Sequence, residues 1–288
     1  MKFERAKRQQ AKLRIGVFGP SGSGKTKGAL RLARGLCTSW DEVGVIDTEH
    51  NSANLYAHMG DFNTLVLEPP FSPERYIEAI SAGIEAGLKV LIIDSISHEW
   101  EGTGGILEIM ETLTGNSYTN WGKVTPRHNK FINTILQAPI HMICCGRTKN
   151  DVVLSKNDRG KDVPEKVGIK AVTREGFDYE MTLAFDLSKH HIATTSKDRT
   201  ELFMGKPDLQ LTEKMGQALA EWADSGEVDM ASQVKELIAQ SSALFQRLGW
   251  SQSKCVEFLE QHYKTQKRQE MSLQQLTDLV AKLEQLGG

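Results

Sequence analysis

The 288-residue chain has little of what marks a secreted, membrane-spanning or charge-coating protein. Its four cysteines, Cys37, Cys144, Cys145 and Cys255, form no C-x-x-C pair and no zinc spacing, so neither a disulfide framework nor a cysteine-built metal site is expected. The eight histidines are scattered and suggest no metal cluster. No apolar run approaches bilayer length, and the basic N-terminus lacks the apolar segment of a signal peptide. A cytoplasmic protein with no membrane partner is the expectation. With 35 Lys and Arg against 37 Asp and Glu, a formal net charge of -2, the chain is no strongly basic protein that coats nucleic acid by charge alone.

What it does have is a globular composition, 39% hydrophobic and 25% charged, able to bury a proper core. It also has one sharp motif. Gly19-Pro20-Ser21-Gly22-Ser23-Gly24-Lys25-Thr26 fits G-x-x-x-x-G-K-[ST], preceded by the strand-like Leu13–Phe18 and followed from Lys27 by helical apolar spacing. Glycines let the backbone curl so that several N–H groups converge on a phosphate at a helix N-terminus, where the partial charge is positive. Lys25 neutralises the outer phosphates, and the Thr26 hydroxyl joins the oxygen shell of a magnesium ion. Residues 19–27 therefore predict a site for ATP or GTP with Mg2+.

Around this loop, apolar runs at 42–47, 64–67, 89–94 and 140–145 read as buried strands. Ser72 and Pro73 open a helix, and 95–137 is largely helical with glycine interruptions. A polar stretch from Arg147 to about Arg174, with a local charge of +4, reads as a long loop. Runs at 179–186 and 191–195 read as antiparallel strands at one edge. The pattern predicts an α/β fold, an open and mostly parallel sheet with helices on both faces, followed by a small all-helical C-terminal module. The boundaries are a basic arm at 1–12, a nucleotide-binding domain at 13–224, and helices at 228–288, with Ser251 and Ser272 as N-caps. Residues 1–14 carry a formal +5, which suits a solvated arm, a phosphate backbone or a neighbouring subunit.

Asp94 ends the most apolar strand, where a P-loop protein places the carboxylate that orients magnesium. The next residue is Ser95, so a water-activating glutamate must come from elsewhere. Glu49, at the carboxyl end of the neighbouring strand, is the best placed; Glu99 and Glu101 are weaker candidates.

Val45-Ile46-Asp47-Thr48-Glu49-His50, with Leu55-Tyr56-Ala57 and Gly60, resembles the segment of bacterial RecA recombinases that carries the catalytic glutamate and an adenine-stacking tyrosine. The P-loop precedes it and Leu91-Ile92-Ile93-Asp94-Ser95 follows it in that family's order. Ile140 to Arg147 resembles the strand leading into the second DNA-binding loop, and Thr195-Ser196-Lys197-Asp198-Arg199 a later strand whose basic residues reach a neighbour's nucleotide. The likeness covers residues 13–205 and is greatest to short, phage-encoded, core-only RecA-like ATPases, some of which anneal single strands with a cognate single-strand-binding protein. It departs at Ala53, where that family often has an acidic residue, and no large N-terminal assembly domain is evident.

The resemblance implies a RecA-like P-loop NTPase in which Glu49 activates water, Tyr56 stacks on adenine and Arg147 lies near a γ-phosphate-sensing position. Lys197 and Arg199 would act in trans in a self-associating filament or ring. It also implies a DNA-dependent ATPase in recombination or annealing, with single-stranded DNA as partner and a single-strand-binding protein met through the C-terminal helices. DNA contacts would come from Tyr118, Trp121, Lys123 and Arg127, which mix aromatics with cations, and from Lys149, Lys156, Arg159 and Lys161. Two other readings compete: a small-molecule P-loop phosphotransferase, and a regulatory or scaffold module switched by nucleotide.

Overall fold

The computed structural model describes residues 5, 7–156, 162–227 and 230–287. They form two compact units, Lys12–Asp224 and a second that joins Met1–Ala11 to Ser225–Gly288.

The first unit is built on strands β1 (Arg14–Gly19), β2 (Val43–Asp47), β3 (Asn63–Val66), β4 (Val90–Asp94), β5 (His141–Lys156), β6 (Asp162–Ala171), β7 (Leu183–Leu187) and β8 (Ala193–Asp198). Their order is β3-β2-β4-β5-β1-β7-β8, with β6 pairing off β5. All neighbours along the main path are parallel except β7 and β8. The helices are α1 (Lys25–Leu36), α2 (Pro73–Glu85), α3 (Ser97–Glu101), α4 (Ile106–Thr112), α5 (Ser117–Gln137), α6 (Phe177–Glu180) and α7 (Glu213–Asp224).

Strand alternation divides the core into two layers. Ile15, Val17, Val45, Ile92, Ile143, Cys145 and Phe185 pack against α1 and α7. Phe18, Ile46, Leu91, Ile93, Met142, Cys144 and Ala184 pack against α2 and α5. The α/β class with helices on both faces is thus the observed one, and the adjacent cysteines serve opposite layers.

Two expectations change. The polar stretch 147–174 is for the most part a β-hairpin, since β5 continues to Lys156 and pairs antiparallel with β6. Its Val152-Val153-Leu154 and Val163 are strand residues diluted by charges, which hides the alternation. The run 179–186 begins in the short helix α6, and β7 starts only at Leu183. Arg14, counted with the basic arm, is 7% exposed. Its guanidinium donates to Leu13 O, Leu136 O, Ala138 O and Ile140 O, satisfying carbonyls at and beyond the C-terminus of α5, and burial lowers its pKa to about 10.

In the second unit α8 (Met230–Arg247), α9 (Gln252–Tyr263) and α10 (Leu273–Gly287) enclose Phe245, Leu259, Met271, Leu276, Leu279 and Leu283. Ser251 Oγ accepts from Lys254 N, and Ser272 and Gln275 exchange bonds as a capping box. The arm joins this unit through Gln10 N to Glu227 O at 3.0 Å, Glu227 N to Arg8 O at 2.7 Å and a Lys7–Glu227 ion pair.

α1 and α7 cross at Gly35 and Gly216. A Cβ on Gly35 would lie 2.1 Å from Glu213 O, and one on Gly216 would lie 2.3 Å from Leu32 O. Backbone contact of this kind leaves no room to relax, so Gly216→Ala should destabilise the protein by about 1–3 kcal/mol, read as a lower urea midpoint with unchanged slope.

Candidate nucleotide and catalytic site

β1 runs straight into the loop, where Gly22 (φ 77°) and Gly24 (φ 86°) supply the left-handed turns. Gly19 has another role, close approach: its Cβ would meet Ser23 Oγ at 2.6 Å and Leu187 O at 2.7 Å. The turn that follows β7 sits against the loop, and a Cβ on Gly24 would fall 2.9 Å from His191 Nδ1. His191 had no role on sequence grounds; only the hairpin's return brings it here.

Lys25 Nζ donates to Gly19 O and Pro20 O, both at 3.0 Å. Thr26 Oγ1 donates to Asp94 Oδ2 at 2.6 Å. Burial raises the Asp94 carboxyl to about 6, opposed by the Thr26 hydrogen bond. Ser23 Oγ is buried with no hydrogen-bond partner. An orphaned hydroxyl in a glycine-bent loop suits phosphate oxygens, and a hydroxyl beside a buried carboxylate suits a hard divalent ion that keeps most of its water. The residues therefore fit both groups.

Glu49 stands at the same end of the sheet. Asp47, in register with Asp94, accepts from Glu49 N at 2.7 Å and Ala53 N at 2.8 Å, bracing the turn. Thr48 N donates to Asp94 O at 2.8 Å. The Glu49 carboxylate is gripped by Arg147, with Nε to Oε1 at 3.0 Å and Nη2 to Oε2 at 2.6 Å, a bidentate pair that raises the guanidinium's pKa. Arg147 pairs with Gly19 across β5 and β1, so loop, metal strand and carboxylate converge. His98, overlooked on sequence grounds, has Nε2 3.9 Å from Glu49 Oε1. Tyr56 is half-buried against the core on the α1 side.

Glu99 does not belong here. It is fully buried and holds His128 Nδ1 at 3.0 Å, because successive helical positions face different ways. Lys197 and Arg199 are also remote from this loop. Lys197 opposes Ala184, and Arg199 N donates to Thr182 O at 2.9 Å, at the start of β7 and so at the far end of the sheet.

Of the aromatic and basic residues expected at DNA, Tyr118 is 86% exposed, and Trp121 stacks on Trp100 at 5.9 Å. Lys123 and Lys149 are exposed. Arg127 makes two 2.8 Å bonds to Glu74, holding that carboxyl down at about 2. Lys156 ends β5; Arg159 and Lys161 lie outside the described residues.

Residues 11–206 match the family described as AAA domain. The chain belongs to the AAA domain family. Protein RecA of Clostridium beijerinckii is 35% identical over 86 residues, 29% of this chain and 24% of that protein. Protein RecA of Clostridium novyi is 33% identical over 86 residues, 29% and 25% of the two chains. The chain thus spans about a quarter of the length of the curated relatives it matches. Among solved structures, a prototypical ATPase from the type III secretion system of pathogenic bacteria is 13% identical, with TM-score 0.42, over 94% of this chain and 79% of that one. Fold, P-loop and AAA family make this a P-loop ATPase domain of the RecA/AAA-like type.

A carboxyl whose folded pKa lies above its unfolded value binds more protons when folded, so it favours the fold below about 3.8 and opposes it increasingly as pH rises to about 6. Asp94→Asn should therefore stabilise the nucleotide-free protein by about 2–3 kcal/mol at pH 7–8, a gain that shrinks toward pH 4 in urea titrations.

Proposed function

We propose that the chain is a magnesium-dependent, oligomeric RecA-like ATPase that binds single-stranded DNA and promotes phage-type homologous recombination or strand annealing. The observation that carries this reading is Glu49, the carboxylate at the mouth of the P-loop, in a chain with Ser95 after the metal-orienting Asp94. Lys25 and the loop N–H groups hold the triphosphate, with Tyr56 beside the adenine. Thr26 and Asp94 would hold magnesium, which would supply positive charge that offsets the phosphates'. Glu49 accepts the proton of the attacking water. Arg147 occupies Glu49 in the nucleotide-free chain, and a γ-phosphate competes for that guanidinium, freeing the base as nucleotide binds.

Lys197 and Arg199 cannot serve their own chain's loop from the opposite end of the sheet. In a head-to-tail assembly that end faces the next subunit's site, where their charge stabilises the transition state only on assembly. DNA binding is supported by the partial likeness to RecA proteins and by exposed Tyr118, Lys123 and Lys149. The C-terminal helices are offered to a single-strand-binding protein.

ATP turnover measured with and without single-stranded DNA tests the reading. Several-fold stimulation is expected, and Glu49→Gln should lower kcat by roughly 100-fold or more. Turnover that needs a small acceptor would indicate a phosphotransferase, and negligible turnover a nucleotide-set scaffold. Mixing Arg199→Ala with Lys25→Ala subunits should recover activity that neither has alone; no recovery in mixed oligomers removes the role in trans.

A further inference from the structure

We infer that His98 is a positioning residue for Glu49, a neutral imidazole whose Nε2 proton is aimed at the carboxylate by the hydroxyl of Thr48. The inference rests on reading Glu49 as the base. His98 lies one residue into α3, just beyond the metal strand. Its Nδ1 is 2.8 Å from Thr48 Oγ1, its ring stacks on Phe71 with centroids 5.0 Å apart and planes at 25°, and its Nε2 is 3.9 Å from Glu49 Oε1. Side-chain exposures of 13% for His98 and 25% for Glu49 leave both groups half-buried.

The tautomer follows from the hydroxyl on one side of the ring and the carboxylate on the other. Thr48 Oγ1 accepts Ser95 N–H at 2.8 Å and has a single proton to give. Its two acceptors are Ser95 O at 3.2 Å and His98 Nδ1 at 2.8 Å. Ser95 O keeps a second lone pair beside the one that takes the Tyr76 hydroxyl, so Thr48 is satisfied with its proton on either contact, and the neighbouring carboxylate selects the shorter one, to His98 Nδ1. With Nδ1 accepting, the ring's own proton is on Nε2, toward Glu49. The opposite tautomer would set a lone pair against a carboxylate. Thr48 precedes the base and Ser95 follows the metal aspartate, so this chain of bonds ties the imidazole to both strands that build the site. A base oriented by a third group through hydrogen bonding is a recurrent arrangement in catalysis, and contacts of this kind shorten when substrate binds. When Arg147 leaves, His98 N–H keeps the carboxylate aligned.

The groups facing this imidazole are Glu49, Arg147, Glu101 and His50. Burial lowers its pKa below the usual histidine value, Glu49 and Glu101 oppose that shift, and Arg147 and His50 add to it. The neutral form therefore prevails at pH 7. A second proton at lower pH would turn the positioning contact into an ion pair that weakens Glu49 as a base.

The experiment measures steady-state ATPase with single-stranded DNA across pH for wild type, His98→Leu, His98→Gln and Glu49→Gln. Binding of an ATP analogue confirms that each variant is folded. His98→Leu should lower kcat roughly 10–100-fold, the range of outer-shell hydrogen-bond partners, with KM changed less than about twofold if the loss lies in orientation and not in ATP binding. His98→Gln, which keeps a donor near the Nε2 position, should recover most of the rate and lose the additional acid-side fall of the wild-type profile. Wild-type kcat in His98→Leu, or equal damage in both His98 variants, overturns the inference. If Glu49→Gln turns over like wild type, the base assignment itself has failed and His98 falls with it. A dead Glu49→Gln beside a normal His98→Leu overturns His98 alone.

Discussion

Parallel pairing of the central strands fixes the level at which each strand ends, and the site depends on that constraint. Hydrogen-bond register sets Asp47 beside Asp94 and Gly19 beside Arg147, so residues separated by up to 128 positions meet at one edge. β1, β2 and β4 leave the sheet here into turns or helices, while β5 runs on past Arg147 to pair with β6. Shifting one strand by a residue would turn its carboxylate into the hydrophobic layer.

That edge concentrates negative charge. Asp47, Glu49 and Asp94 stand close together, and each is compensated differently. Asp47 accepts backbone N–H groups, Glu49 takes a bidentate guanidinium, and Asp94 takes the Thr26 hydroxyl with the charge of Lys25 acting on it. Burial holds the Asp94 carboxyl up at about 6, against the Thr26 hydrogen bond and the charge of Lys25. The Glu49–Arg147 pair joins the turn after β2 to β5, holding the carboxylate beside the strand that neighbours Gly19.

Much of this was legible in sequence. The P-loop, the Asp94 strand, the two-layer α/β order and the helical C-terminal segment rest on local patterns with short range: glycine spacing, apolar runs and helix caps. Glu49 was reachable as a candidate because Ser95 follows Asp94 and Glu49 lies two residues beyond Asp47, where the neighbouring strand ends. The β5–β6 pairing within 147–174 was not legible, because charges interrupt the alternation of both strands.

The amino-acid sequence by itself determined the P-loop and the strand ends at which Lys25, Thr26, Glu49 and Asp94 lie, since those choices depend on residue type and on neighbours a few positions away. Tertiary structure decided which charges share a space. It gave Arg147 to Glu49, sent Glu99 to His128 and Lys197 with Arg199 to the far end, buried Arg14 beneath α5, and brought His98 to Glu49 and His191 to the loop. Such pairings depend on strand order and on the turns between strands, and no local pattern encodes the distance between segments that fold together from far apart.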